Sequence, residues 1–152
     1  MVTPGEAGKR SEAKPMADHI QFELVSPERL LVSQAVEMVV VPGAEGDIGV
    51  LPGHAPLISN VRPGMIAVFE GSKVAQRIFV AGGFAEVTPE RCTVLAEAAM
   101  PVEDIDRAAV EAEMRNARED LAEARDDSER SRLEQAIAIG EAKIAVLDNP
   151  VY

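Results

Sequence analysis

The sequence predicts an α+β chain: an N-terminal β-sandwich of about eight to ten short strands, then a C-terminal antiparallel two-helix hairpin. Three observations carry that expectation. Between Ile20 and Leu95, short apolar and alternating runs are separated by turns rich in Gly and Pro. All four phenylalanines (Phe22, Phe69, Phe79, Phe84) fall in that same part. Beyond Pro101 there is no Phe, no Pro until Pro150 and one glycine, Gly140, while Ala, Glu and Arg dominate, a composition that favours helix. The expected layout is a leader or upstream extension over 1–15, a sandwich over 17–100 and a helical hairpin over 101–150.

Residues 1–15 are polar, without apolar periodicity and with two prolines. They lack the apolar stretch of a secretory signal, and Glu6 and Glu12 argue against a transit peptide. Met16 then begins a segment that reads like a natural start.

The strands come next. Ile20-Gln21-Phe22-Glu23-Leu24 alternates as a half-buried strand does, and Ser26-Pro27-Glu28 breaks it. Leu30 to Ser33 is a short second piece, and Ala35 to Val41 is valine-rich enough for a central strand. Val41 to Leu57 holds four glycines and three prolines in seventeen residues, so it reads as tight turns and short strands, with Ile48, Val50 and Leu51 folded back onto a core. Leu57 to Val61 is followed by an Arg62-Pro63-Gly64 turn. Met65–Phe69 and Ala75–Val80 flank Glu70-Gly71-Ser72-Lys73 as a hairpin. Phe84 to Val87 and Cys92 to Ala96, separated by a turn at Thr88-Pro89-Glu90, end the series.

The first helix is expected to be capped by Glu103 or Asp104 and to run to about Asp126. Its thin apolar stripe comprises Ile105, Ala109, Ala112, Ala117, Leu121 and Ala124. Ser128 would cap a second helix, in which Leu133, Ile137, Gly140, Ile144 and Leu147 recur at heptad-like spacing. Small side chains at such a contact allow close approach but bury little area, so the hairpin needs something to dock on.

Charge and composition exclude several function classes. The formal net charge is -11. Residues 101–152 alone hold seven Lys/Arg against fourteen Asp/Glu, a net of -7. So acidic a chain does not suit nucleic acid or a membrane surface. No apolar run approaches the roughly 20 residues of a membrane span. A single cysteine, Cys92, allows no internal disulfide and reads as a sandwich side chain. His19, His54 and Cys92 are too far apart in sequence for metal-ligand spacing, and no nucleophile–base arrangement stands out. The glycines lack a following helix and a lysine, and proline and acidic residues surround them, which argues against a phosphate loop. The expectation is a protein that is not an enzyme, with no cofactor and no metal.

Phe22-Glu23-Leu24-Val25-Ser26-Pro27-Glu28, then Pro42-Gly43-Ala44-Glu45-Gly46-Asp47-Ile48-Gly49-Val50-Leu51-Pro52-Gly53-His54-Ala55-Pro56-Leu57, then Arg62-Pro63-Gly64, Gly82-Gly83-Phe84 and Thr93-Val94-Leu95-Ala96 resemble the epsilon subunit of the F-type ATP synthase. The resemblance covers about residues 17–148, and EGDIGVLPGHAP is its most specific part. It implies a subunit of the central rotor stalk that binds the gamma subunit and sits against the c-ring in proton-driven ATP synthesis. The ring-contacting residues would be Glu45, Asp47 and His54. The hairpin would lie on the sandwich or extend toward the alpha and beta subunits and hinder ATP hydrolysis, through Arg115, Arg118, Arg125, Arg130 and Arg132. Some members bind ATP through (I/L)-D-x-x-R-A. Here Ile105-Asp106-Arg107-Ala108-Ala109 has alanine at the arginine position, and the shifted frame Asp104 to Ala108 recovers D-x-x-R-A after Glu103. Asp104, Asp106 and Arg107 are therefore the candidate nucleotide-binding residues. The implied location is peripheral, on the cytoplasmic side of a bacterial inner membrane, or on an organelle's inner membrane.

Overall fold

The computed structural model describes residues 18–149 and Tyr152, so the expected leader, 1–15, lies outside the described residues. Ten strands come first: β1 (Ile20–Val25), β2 (Leu30–Val36), β3 (Met38–Gly43), β4 (Gly46–Val50), β5 (Leu57–Val61), β6 (Gly64–Glu70), β7 (Lys73–Val80), β8 (Gly83–Val87), β9 (Arg91–Ala96) and β10 (Ala99–Pro101). A 3-10 turn at Val102–Asp104 leads into α1 (Arg107–Ala122) and α2 (Asp127–Asp148). The α+β class with sandwich first and helical pair second is what the sequence predicts.

The strands form one curled sheet in the order β10-β7-β6-β3-β5-β8-β9-β1-β2, with β4 paired on β3. The corner lies at Gly43, whose pairing with Val61 is the one β3–β5 register position. There the sheet folds on itself and encloses a core. In β1 the alternation does what it promises: Ile20, Phe22 and Leu24 are buried, with Gln21, Glu23 and Val25 less so. Val36, Val39, Val41, Val50, Ile66, Val68, Val80 and Val94 belong to the same cluster.

Three strand expectations change. Leu30–Ser33 and Ala35–Val41 divide differently, because the chain breaks at Glu37 between β2 and β3. There it leaves a strand paired with β1 and enters one flanked by β4 and β6, and the Glu37 carboxylate accepts the Gly71 N–H at 3.1 Å. Leu51 is 54% exposed, because it follows the last paired residue of β4 and escapes the core that Val50 enters. β10 was unforeseen: three residues pairing with Ile78–Val80 are too few to show a period.

Cys92 is fully buried, and burial pushes its thiol up to about 12. A thiol reagent at pH 8 is therefore expected to label the folded protein at least 100-fold more slowly than the urea-unfolded chain, since both thiolate and access are lacking. Comparable rates would place Cys92 outside the core.

The helix caps are Asp106 and Asp126, not Glu103 or Asp104 and not Ser128. The Asp106 carboxylate accepts from the Ala109 N–H at 3.2 Å and that of Asp126 from Glu129 N–H at 2.7 Å. Glu103 and Asp104 belong to the 3-10 turn, closed by Ile105 N–H on Val102. The first helix accordingly ends at Ala122, before the expected Asp126. The α1 stripe is also richer than foreseen: Val110, Met114 and Ala117 are buried with Ile105, whereas Ala109 is exposed. Gly140 explains how the helices meet, since a Cβ there would lie 2.4 Å from Met114 Cγ.

A second cluster joins the two parts. Phe79 and Ala81 on the sandwich meet Ile105, Val110 and Met114, with Ile139, Ala142, Ile144, Val146 and Leu147 partly buried against them. α2 thus carries apolar residues toward α1 and others, Ala142 and Val146, beside Pro63 and Met65 of the sandwich.

Candidate functional site

The β3–β4 turn presents Ala44 and Glu45, both exposed, with Asp47 just beyond on β4. Arg62, from the turn after β5, donates from Nη1 to the Gly43 carbonyl and from Nη2 to Asp47 Oδ1 at 2.7 Å. The Tyr152 hydroxyl donates to Asp47 Oδ2 at 2.7 Å. Partial burial pushes the Asp47 carboxyl up, but hydrogen bonds from Arg62 and Tyr152 and the Arg62 charge outweigh it and hold the group below its ordinary value. The contribution of this ionised pair to stability is present above the usual carboxylate range and fades as pH falls through the lowered value.

His54 is not in this patch. Register puts Gly46 opposite Gly43 but Val50 opposite Val39, so His54 follows the far end of β4. Three residues of extended strand, roughly 10 Å, and a further turn separate it from Asp47. The Gly53 N–H donates to the Pro89 carbonyl at 2.8 Å, which ties that segment to the β8–β9 turn. The His54 ring contacts the Ala55 carbonyl at 2.7 Å.

A surface that sequence reading did not single out lies on β5, β8 and β9. Phe84 pairs with Leu95 and with Asn60, and Ile58 pairs with Glu86, so Ile58, Phe84 and Leu95 share one outward face. They are 63%, 40% and 49% exposed. Three large apolar side chains thus lie side by side on the sheet, unlike singly scattered surface residues.

The hairpin arginines occupy its outer half. Arg115 and Arg118 lie one turn apart on α1, Arg125 lies between the helices, and Arg130 and Arg132 begin α2. Carboxylates temper this basic group: Arg118 lies 3.5 Å from Glu141 and Arg130 3.0 Å from Asp127. The candidate nucleotide residues sit at the hairpin's base. Asp104 is in the 3-10 turn, Asp106 caps α1, and Arg107 is joined to Asp148 and, at 3.9 Å, to Glu111. Two of those three thus already have partners within the hairpin.

Folding also brings His19, Glu37 and Glu70 together, their ligand atoms within 4.8 Å of one another, which no sequence spacing signals. Exposed acidic groups gather in this way on many acidic surfaces, and no cation is assigned here. Among the described residues no polar or charged side chain is buried.

Comparison with known proteins agrees with this division. Residues 19–102 match the family described as ATP synthase, Delta/Epsilon chain, beta-sandwich domain, and residues 106–150 match the C-terminal domain of the ATP synthase epsilon chain. The protein is 55% identical over 130 residues to the ATP synthase epsilon chain of Rhodospirillum rubrum, covering 86% of its own length and 97% of that relative. It is 55% identical over 137 residues to that of Rhodospirillum centenum, covering 87% and 94%. In structure it is similar to a subunit of the Euglena gracilis mitochondrial ATP synthase, seen in an assembly of OSCP, F1 and c-ring. The TM-score is 0.74 at 28% identity, with 86% of this protein and 82% of that one covered. Sandwich, helical pair and relatives of nearly equal length agree, and the chain belongs to the family of ATP synthase epsilon chains, non-catalytic subunits of that complex.

Proposed function

We propose that this protein is a rotor subunit that couples the gamma subunit to the c-ring in proton-driven ATP synthesis, with a hairpin able to slow ATP hydrolysis. The observation that carries the reading is the Ile58–Phe84–Leu95 strip. It is exposed on a rigid sheet, it is apolar in an otherwise acidic protein, and it is assigned to gamma. A preformed surface loses little entropy on docking, which suits a joint that transmits torque.

Glu45 and Asp47 are assigned to the c-ring, because Glu45 lies in the tight β3–β4 turn and Asp47 just past it on β4, at one end of the sandwich. His54, at the far end of β4, is left out of that contact. The hairpin carries the contacts to alpha and beta through Arg115, Arg118, Arg125, Arg130 and Arg132. Its attachment to the sandwich centres on Phe79, a small contact compatible with exchange between two partners. ATP binding at Asp104, Asp106 and Arg107 is not part of the proposal, since Asp106 caps α1 and Arg107 ties α1 to Asp148 of α2. The sandwich over 17–100 and the hairpin over 101–150 are the two working units. The proposed location is peripheral, at the cytoplasmic side of a bacterial inner membrane, held there through the complex.

The test is affinity for gamma. Phe84→Asp and Ile58→Asp are expected to weaken binding by 30-fold or more, about 2 kcal/mol, as central interface anchors do. Both sites are exposed, so melting of the sandwich is expected to stay within a few degrees. Full affinity in both variants would remove the strip from the interface.

A further inference from the structure

We infer that the sandwich carries a tyrosine-binding cleft whose ligand is Tyr152 of the protein's own hairpin, and that Tyr152 and the c-ring compete there for Asp47. Tyr152 follows α2 by a few residues and meets three strands. Its hydroxyl donates to Asp47 Oδ2 on β4, 105 positions away, at 2.7 Å. Its main-chain oxygen accepts from Arg77 Nε on β7 at 2.9 Å. Its ring packs edge-on against Phe69 of β6, with centroids 5.9 Å apart. Tyr152 also lines a cavity of about 200 Å³ together with Asp47, Arg62 and Met65 of the sandwich and Ala142 and Val146 of the hairpin.

Each contact selects a different part of a tyrosine. The carboxylate requires a donor and Phe69 an aromatic ring, while Arg77 takes a main-chain oxygen that any residue offers, so phenylalanine lacks the donor and serine the ring. Two of the contacts that orient Asp47 do not involve Tyr152. Arg62 fixes Asp47 Oδ1 and is itself anchored on the Gly43 carbonyl, which leaves Oδ2 aimed at the hydroxyl. The Tyr152 phenol is raised above its ordinary value, first by the hydrogen bond to Asp47, which agrees with a donor held in place.

The competition rests on the proposed ring contact of Asp47. Both its oxygens are in use, one by Arg62 and one by Tyr152. A ring donor that reaches Oδ2 from the side the phenol covers displaces Tyr152. Engagement of the ring then loosens the end of the hairpin, and a docked hairpin withholds Asp47 from the ring.

Hydrogen exchange on the isolated protein tests the cleft without any ring present. Tyr152→Phe is expected to speed exchange of the α2 amides over 139–148 by about fivefold to tenfold, the loss expected for one net hydrogen bond at a solvent-accessible site. Asp47→Asn is expected to act in the same direction. The double variant is expected to exchange no faster than the faster single one, because the two groups share one interaction. Unchanged exchange in Tyr152→Phe overturns the cleft and leaves the ring contact standing. The ring contact is tested separately by Glu45→Lys, which spares every Tyr152 contact. Normal rotor assembly by that variant removes the ring contact and leaves the cleft.

Discussion

Replacing Gly83 with alanine is expected to cost the sandwich about 3 kcal/mol or more, combining backbone strain with an overpacked contact. A Cβ at Gly83 would lie 2.1 Å from the Leu95 carbonyl oxygen and 3.0 Å from Ala96 Cα. Both are backbone atoms of β9, so no rotamer change relieves the clash. The backbone there has φ +148, a conformation that a side chain disfavours on its own account. Gly83 pairs with Ala96 and opens β8, and the adjoining Phe84 pairs with Leu95, so relief by parting the strands also breaks up the apolar strip. For a sandwich of this size a loss of about 3 kcal/mol lowers the melting temperature by roughly 15 °C. Circular dichroism melting checks the shift, and gamma binding is expected to fall with it. A change of only a degree or two would mean that β8 and β9 separate freely.

Phe79→Ala is expected to free the hairpin while leaving the sandwich folded. Phe79 is 1% exposed, yet it belongs to the second cluster, outside the core that holds Phe22. Its ring also lies 5.7 Å from Lys143 Nζ. Truncating a buried phenylalanine costs about 3–5 kcal/mol, and here nearly all of it falls on the docking of α1 and α2. The α1–α2 contact is built on Ala117, Gly140 and Met114, so it offers little to replace that loss. Exchange protection over 107–148 is expected to drop at least 100-fold with protection over 20–96 retained. In the assembled enzyme, the released hairpin is more available to the catalytic head, and ATP hydrolysis is expected to slow. Unchanged hairpin protection would show that Phe79 is not the anchor.

The alternation of β1 and the turns around β6 and β7 are local signals, and the sequence displayed them. What it hid was pairing. Ile58, Phe84 and Leu95 each look like an ordinary strand residue, and only the register of β5, β8 and β9 makes them one surface. Phe79 sits in the unbroken apolar run Ile78-Phe79-Val80, where periodicity cannot say that one face meets the core and the other a helix. Before α1 the acids Glu103 and Asp104 look like caps, but the 3-10 turn takes both and passes the cap to Asp106. Glu45 to Asp47 stood out through the glycine-rich motif, but the distance between Asp47 and His54 depends on β4 being extended. Tyr152 carried no signal, since its partners Asp47, Phe69 and Arg77 are brought to it by the whole fold.

The most direct measurement places a photo-crosslinking residue at Phe84, and separately at Glu45, in the assembled ATP synthase. The expected result is capture of gamma from position 84 and of a c subunit from position 45. Capture of neither, or of the same neighbour from both positions, would contradict a sandwich that joins gamma to the ring by two different surfaces.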